Sequence, residues 1–187
     1  LKRNPLDNFT IIMMPDTQNY TRTKENIKHL EGQLDWIINN KSKEKIVFIS
    51  HVGDVISNKK ISSKYSLLNK KPFCPILKHL NSKYITDQYK KASNILKKLE
   101  DNSISFSVVP GNHDYDCLMP PSTFNDTTYF RKFFGIKKYK DKSWFIDSDK
   151  TERNMAQKFE SNGKEFIHIG LEQYPSDKAI LFAQKVI

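Results

Sequence analysis

Three short apolar runs rich in β-branched residues lie between Phe9 and Val109, and each stops abruptly at a polar cluster. Phe9 to Met14 reads as a buried strand, Ile46 to Ile49 as a second and Ile104 to Val109 as a third, since unbroken apolar runs this short suit covered strands. Between the first two, Ile27, Leu30, Leu34, Ile37 and Ile38 recur at helical spacing from about Thr23, predicting an amphipathic helix that ends near Asn39 and Asn40. A second helix, with Tyr89, Ala92, Ile95, Leu96 and Leu99 on one face, leads into the third strand, which Pro110 and Gly111 end. Alternation of strand and helix predicts a parallel sheet with crossover helices. From Ser57 to about Ser82 the periodicity is lost at Lys59-Lys60, Lys70-Lys71-Pro72 and Cys74-Pro75, so residues 58–82 read as a polar insertion or long loop. Loops at the ligand edge of such sheets shape substrate access.

Beyond Pro120-Pro121 the pattern changes. Tyr129, Phe130, Phe133 and Phe134 form an aromatic stripe at helical spacing, read as a cap segment packed on the core. Trp144 to Ile146, Met155 to Phe159 and Phe166 to Ile169 read as strands of a second sheet, with a tight turn at Asn162-Gly163. Ser176 or Asp177 caps a final helix containing Ile180, Leu181, Ala183 and Val186. The 187 residues are enough for one sizeable core and short for two, so 1–187 is read as a single domain.

Composition removes several function classes. No apolar run approaches the roughly 20 residues that cross a bilayer. Cys74 and Cys117 make neither a metal-ligand spacing nor a disulfide framework. The net charge of +10 invites a nucleic-acid partner, but lysine supplies nearly all of it, arginine occurring only at Arg3, Arg22, Arg131 and Arg153. Scattered lysines lack the arginine forks and interleaved aromatics of base and strand recognition, which makes nucleic acid an unfavoured partner. Such a field does draw anionic phosphates toward a cleft.

The polar clusters behind the three strands carry the chemistry: Asp16 with Gln18, Gly53-Asp54, and Gly111-Asn112-His113-Asp114. Singly, Asp-x-Gln is ordinary helix-cap chemistry and Gly-Asp ordinary turn chemistry. Gly-Asn-His-Asp is sharper, because a Gly-Asn turn requires neither the histidine nor the aspartate after it. Glycine is scarce, 6 in the chain, yet Gly53 and Gly111 both fall here. Carried to one sheet edge, these side chains suit a pair of divalent ions, which clamp phosphoryl oxygens and generate a hydroxide near neutral pH. Asp54, behind a residue with no Cβ, is the natural carboxylate to bridge both ions. Asp16 then binds one ion and the Asn112 amide oxygen the other; such oxygen donors suit Mg or Mn, whereas Fe and Zn call for additional imidazoles. His113 follows as the general acid, with an ordinary pKa of roughly 6.5. Asp114 orients local backbone or solvent, or caps a helix. His168 sits inside an apolar run and reads as a core or edge histidine, His51 as strand-end packing or cleft wall, and His29 and His79 have no partner pattern.

In order and content, Asp16-Thr17-Gln18, Gly53-Asp54-Val55 and Gly111-Asn112-His113-Asp114 resemble the motifs of the calcineurin-like metallophosphoesterase superfamily, most closely a subgroup whose first motif is Pro-Asp-Thr-Gln, here Pro15 to Gln18. The stretch from Phe166 to Pro175 is similar to the strand and acidic turn that follow in that subgroup. The resemblance implies a layered sandwich of two mixed β-sheets flanked by helices. It also implies hydrolysis of phosphate esters, in a phosphorylated small molecule or a phosphoprotein, with diesters as a further class. Two divalent ions (Mn, Fe, Zn or Mg) would be held by Asp16, Gln18, Asp54 and Asn112, with His113 assisting the leaving group. Gln18, where histidine is commoner, implies a weaker and harder ligand. Val55-Ile56-Ser57-Asn58 replaces the Asp-Arg-Gly of the protein Ser/Thr phosphatase branch and speaks against that branch. The family completes its site with a downstream histidine strand and a Gly-His-x-His loop, neither of which occurs before Ile187, so the remaining ligands and the rest of the fold are expected outside this stretch. The competing reading is a catalytically incomplete domain of the same type that serves as a binding or scaffold protein.

Overall fold

The computed structural model describes residues 8–57, 82–116 and 126–187. The expected insertion lies outside them except for Ser82, which opens a helix, and Cys74, His79, Cys117 and Pro120-Pro121 also lie outside. The elements run β1 (Thr10–Met14), α1 (Gln18–Arg22), α2 (Lys24–Asn40), β2 (Ile46–His51), α3 (Ser82–Asp101) and β3 (Ser105–Val108), then a single 3-10 turn at Asn112–Asp114. They continue as α4 (Thr128–Phe134), α5 (Ile136–Tyr139), β4 (Phe145–Ser148), β5 (Met155–Ser161), β6 (Lys164–Gly170) and α6 (Asp177–Val186). The chain is thus mixed α/β.

Two three-stranded sheets organise it, in the orders β1-β2-β3 and β4-β5-β6. The first is parallel, with Ile49 of β2 opposite Ile12 of β1 and Phe106 of β3. The second is an antiparallel meander. Its β5–β6 turn is Asn162-Gly163 as expected, and both residues take the positive φ that two-residue hairpins need. Because side chains alternate along a strand, the two faces of β2 meet different partners. Phe48 faces the second sheet, its ring 5.2 Å from Phe159 and 4.7 Å from His168. Ile49 turns the other way, as does its neighbour Phe106, which meets Tyr139 and Trp144.

Helix α2 starts where Thr23 Oγ1 accepts the Asn26 N–H (3.2 Å) and buries Leu30, Leu34 and Ile37, the expected stripe. Helix α3 buries Tyr89, Ala92, Ile95, Leu96 and Leu99, also as expected. The aromatic stripe is helix α4, which buries Phe130 and Phe134 and sets Phe133 in a stacked contact with Tyr89. Each such side chain removed from water contributes about 1.5–3 kcal/mol.

One expectation fails. Strand β1 is not buried on both faces: Ile11 is 44% and Met13 72% exposed. An apolar run records tolerance of burial, whereas β1 is a sheet edge whose outward residues find no cover among those described. Helix α6 is present as expected and is capped by Ser176, whose Oγ accepts the Ala179 N–H; it buries Ala179 and Phe182.

Candidate functional site

The three parallel strands end together, and backbone hydrogen bonds tie their tips. Val52 N–H donates to Met14 O (3.1 Å), Val109 N–H to His51 O (3.3 Å) and Thr17 N–H to Asp54 O (3.2 Å). At the β2 tip Gly53 has φ +98°, and a Cβ there would collide with the Gly111 backbone. A Cβ on Gly111 would in turn collide with the Asp54 carboxylate. Both glycines are therefore required, one for its conformation and both for close approach. Asp54 also lies in the left-handed region, at φ +52°, which aspartate tolerates better than most residues. Its Oδ1 accepts the His113 N–H (2.8 Å), so the third tip holds the carboxylate of the second.

Asp114 is buried beneath this junction. Val55 N–H reaches both its carboxylate oxygens (3.1 Å each), Gly111 N–H donates to Oδ2 (3.0 Å) and the Tyr89 hydroxyl donates to Oδ1 (2.9 Å). Of the readings open for it, backbone orientation and helix capping both hold, since Asp114 accepts the N–H of Gly111 at the N-cap of the 3-10 turn as well as that of Val55. His51 is also packing rather than cleft wall. Its Nδ1 accepts the Gly53 N–H (3.1 Å), so Nε2 carries the proton and donates to Thr17 Oγ1 (3.0 Å). His168 bridges the sheets through Ser50 Oγ (3.0 Å), a core histidine as expected.

The two buried groups titrate with opposite signs. Burial pushes His51 down to about 4, against a smaller upward pull from Asp16. The unfolded chain then binds the extra proton, and stability is lost as pH falls from about 6.5 toward 4. Burial pushes Asp114 up to about 7, outweighing its hydrogen-bond donors, so its contribution is lost as pH rises from about 3.8 through 7. Comparison with His51→Asn isolates the histidine. The stability difference between wild type and variant shrinks by about 2–3 kcal/mol from about pH 7 to pH 4.5, as read by urea unfolding. A constant difference would mean that His51 is hydrated.

Between the tips lies a cleft of about 190 Å³ lined by Asp16, Val52, Gly53, Asp54, Gly111, Asn112, Leu171 and Gln173. Three of the expected site residues, Asp16, Asp54 and Asn112, thus share one wall. Gln18 and His113 do not line it. Gln18 is buried behind Asp16, giving its backbone N–H to Oδ1 (2.9 Å) and its Nε2 to Oδ2 (2.6 Å). Its Oε1 is buried without a hydrogen-bond partner among the described residues. A carboxylate has lone pairs beyond these two bonds, so Asp16 still offers oxygen to the cleft. Burial, reinforced by the Asp16 charge, holds the Asp54 carboxyl above its ordinary value against the His113 N–H. Two adjacent carboxylates, an orphaned amide oxygen and the Asn112 amide make a hard, oxygen-rich set that a divalent cation fits. Among the described residues no group of three His, Cys, Asp or Glu converges, so the charge available here is that of two carboxylates.

Leu171 and Gln173 come from the second sheet, at the end of β6. Gly170 allows this, since a Cβ there would press on Ser107 and Val109 of the first sheet. Neither residue was singled out by sequence; the available signal was a polar residue directly after an apolar strand, inside the acidic turn.

The fold and the cleft define a mixed α/β domain with an oxygen-donor site at the carboxyl ends of parallel strands, where open α/β sheets bind ligands. No family model matches the chain. It is similar to the uncharacterized protein YvnB of Bacillus subtilis (strain 168), at 25% identity over 183 residues, 97% of this chain. The chain spans 12% of that protein's length. Among the described residues no helix is long and apolar enough to cross a membrane.

Proposed function

We propose that this domain is a metal-dependent phosphoesterase of the calcineurin-like metallophosphoesterase type, with the two-sheet sandwich that type uses. The observation carrying the proposal is the meeting of Asp16, Asp54 and Asn112 on one cleft wall, with Asp54 held by the turn that bears Asn112. Asp54 is half-buried beside the exposed Asp16, and the proximity of the two like charges is unfavourable until a cation offsets it. Asp16, Asp54 and Asn112 would hold a pair of divalent ions, with Gln18 behind Asp16 as a further oxygen donor. Such ions withdraw charge from phosphoryl oxygens and supply a nucleophile near neutral pH. Gln18 orients the Asp16 carboxylate through two hydrogen bonds, and His113 N–H orients that of Asp54. His113 follows Asn112 on the same turn but does not line the cleft, so to protonate the departing ester oxygen its ring would have to turn toward the substrate. The substrates are phosphate esters of small molecules or phosphoproteins.

The full chain loaded with Mn²⁺ is expected to hydrolyse para-nitrophenyl phosphate or its bis-aryl diester, to lose that activity to a chelator and to regain it with metal. Metal occupancy without turnover of either probe would leave the binding or scaffold reading, which the small number of carboxylates at the site favours.

A further inference from the structure

The cleft has a second wall that the ligand set does not use. Leu171 and Gln173 stand on it, and Val52 adds carbon from the β2 tip. Between the two wall residues lies Glu172, a carboxylate buried to 4% exposure that points away from the site. Its Oε2 accepts from the Tyr115 hydroxyl and from Arg153 Nη1 (3.1 Å), and its Oε1 accepts from Asn154 Nδ2 (3.2 Å). The Glu172 N–H donates to Asn154 Oδ1 (2.9 Å), closing a reciprocal pair. Burial, with Glu172 next, holds the Tyr115 hydroxyl well above its ordinary range, so it remains a donor.

These contacts connect two loops. Tyr115 directly follows Asp114 on the turn that carries Asn112, while Arg153 and Asn154 precede β5. Glu172 therefore ties the loop at the end of β6 to the turn bearing a candidate ligand. Gln173 N–H adds a long backbone contact to Pro110 O (3.4 Å). A buried charge is retained only with partners on every side, so the anchor is rigid where the rest of the loop is exposed. The Gln173 backbone is thereby held at the cleft that Asp16 and Asp54 also line.

The chemistry of this wall differs from that of the other. A carboxamide offers donors and an acceptor with no charge, and Leu171 and Val52 offer carbon. An anionic phosphoryl group gains little there, whereas the organic part of an ester gains a hydrogen bond and apolar contact. Resting on the phosphoesterase reading, we propose that Gln173 is the specificity residue that recognises a hydroxyl or carbonyl close to the ester oxygen, and that Glu172 is its positioning residue. The preferred substrate class is a phosphate ester of a polyol or similar hydrogen-bonding alcohol rather than of a plain hydrocarbon.

Phosphate release by the Mn²⁺-loaded full chain tests this with two probes: β-glycerol phosphate, whose hydroxyls flank the ester, and phenyl phosphate, which has none. Gln173→Ala is expected to lower kcat/KM for glycerol phosphate about tenfold, mainly through KM, and for phenyl phosphate less than about threefold. Glu172→Gln, which keeps shape while weakening the ion pair, shifts the same ratio by a smaller factor, and its effect disappears in the Gln173→Ala background. A merely structural role would instead add to the first substitution. Equal losses on both esters, or none, with an active wild type overturn the assignment of Gln173 alone. A metal-loaded wild type that turns over no ester removes the phosphoesterase reading and this inference with it.

Discussion

Asp54→Asn is expected to lower kcat/KM for phosphate esters roughly 10³-fold, about 4 kcal/mol of transition-state stabilisation, while leaving the fold intact. The substitution preserves volume and an oxygen that can accept the His113 N–H, so the junction of the tips survives. It removes the negative charge that lies at the centre of the donor set, between Asp16 on one tip and Asn112 on another. A neutral amide also relieves the unfavourable burial now imposed on this carboxyl, so thermal stability without metal stays level or rises. Mn²⁺ titration by calorimetry, run beside the kinetics, separates the causes: affinity and turnover fall together. Turnover within tenfold of wild type and unaltered Mn²⁺ affinity would remove Asp54 from the centre of the site.

The largest effect on stability belongs to Asp114→Ala, expected to lower unfolding free energy by roughly 3–5 kcal/mol in urea denaturation. Two backbone N–H groups, of Val55 and Gly111, and the Tyr89 hydroxyl all donate to this buried carboxylate. Truncation strands all three in a site that water does not reach. Tyr89→Phe removes one donor and costs about 1 kcal/mol, most of which disappears when Asp114 is already alanine. Because Val55 follows Asp54 and Gly111 precedes Asn112, the same variant loosens the spacing of the two tips, and activity falls at temperatures where the protein is still folded. A loss under about 1 kcal/mol would mean that the carboxylate is dispensable to the junction.

Much of this arrangement was legible along the chain. Strands β2 and β3, helices α2 and α3 and the second sheet's hairpin follow local rules: period, capping by Thr23, and the positive φ available to Asn162-Gly163. The Gly53-Asp54 and Gly111-Asn112 pairs announced sharp turns because glycine is otherwise rare. Other roles were left between alternatives. His51 stands near one motif and Asp114 within another, and only their partners 34 and 59 positions away show that they brace the tips from below. Gln173 carried only the weak mark of a polar residue in the turn after an apolar strand, since its place on the cleft depends on how one sheet packs over another. Ile11 and Met13 misled because an apolar side chain does not specify which neighbour covers it.

Sequence alone determined the order of the longer elements, the mixed α/β class and the residues at each strand end, since these depend on backbone preferences and periodicity within a few turns of chain, while the short helices α1 and α5 went unread. The tertiary structure decided which polar side chains face one cleft, which hold the backbone beneath it, and that a second sheet closes the far wall. Those outcomes depend on distances between residues remote in the chain, which no local pattern encodes.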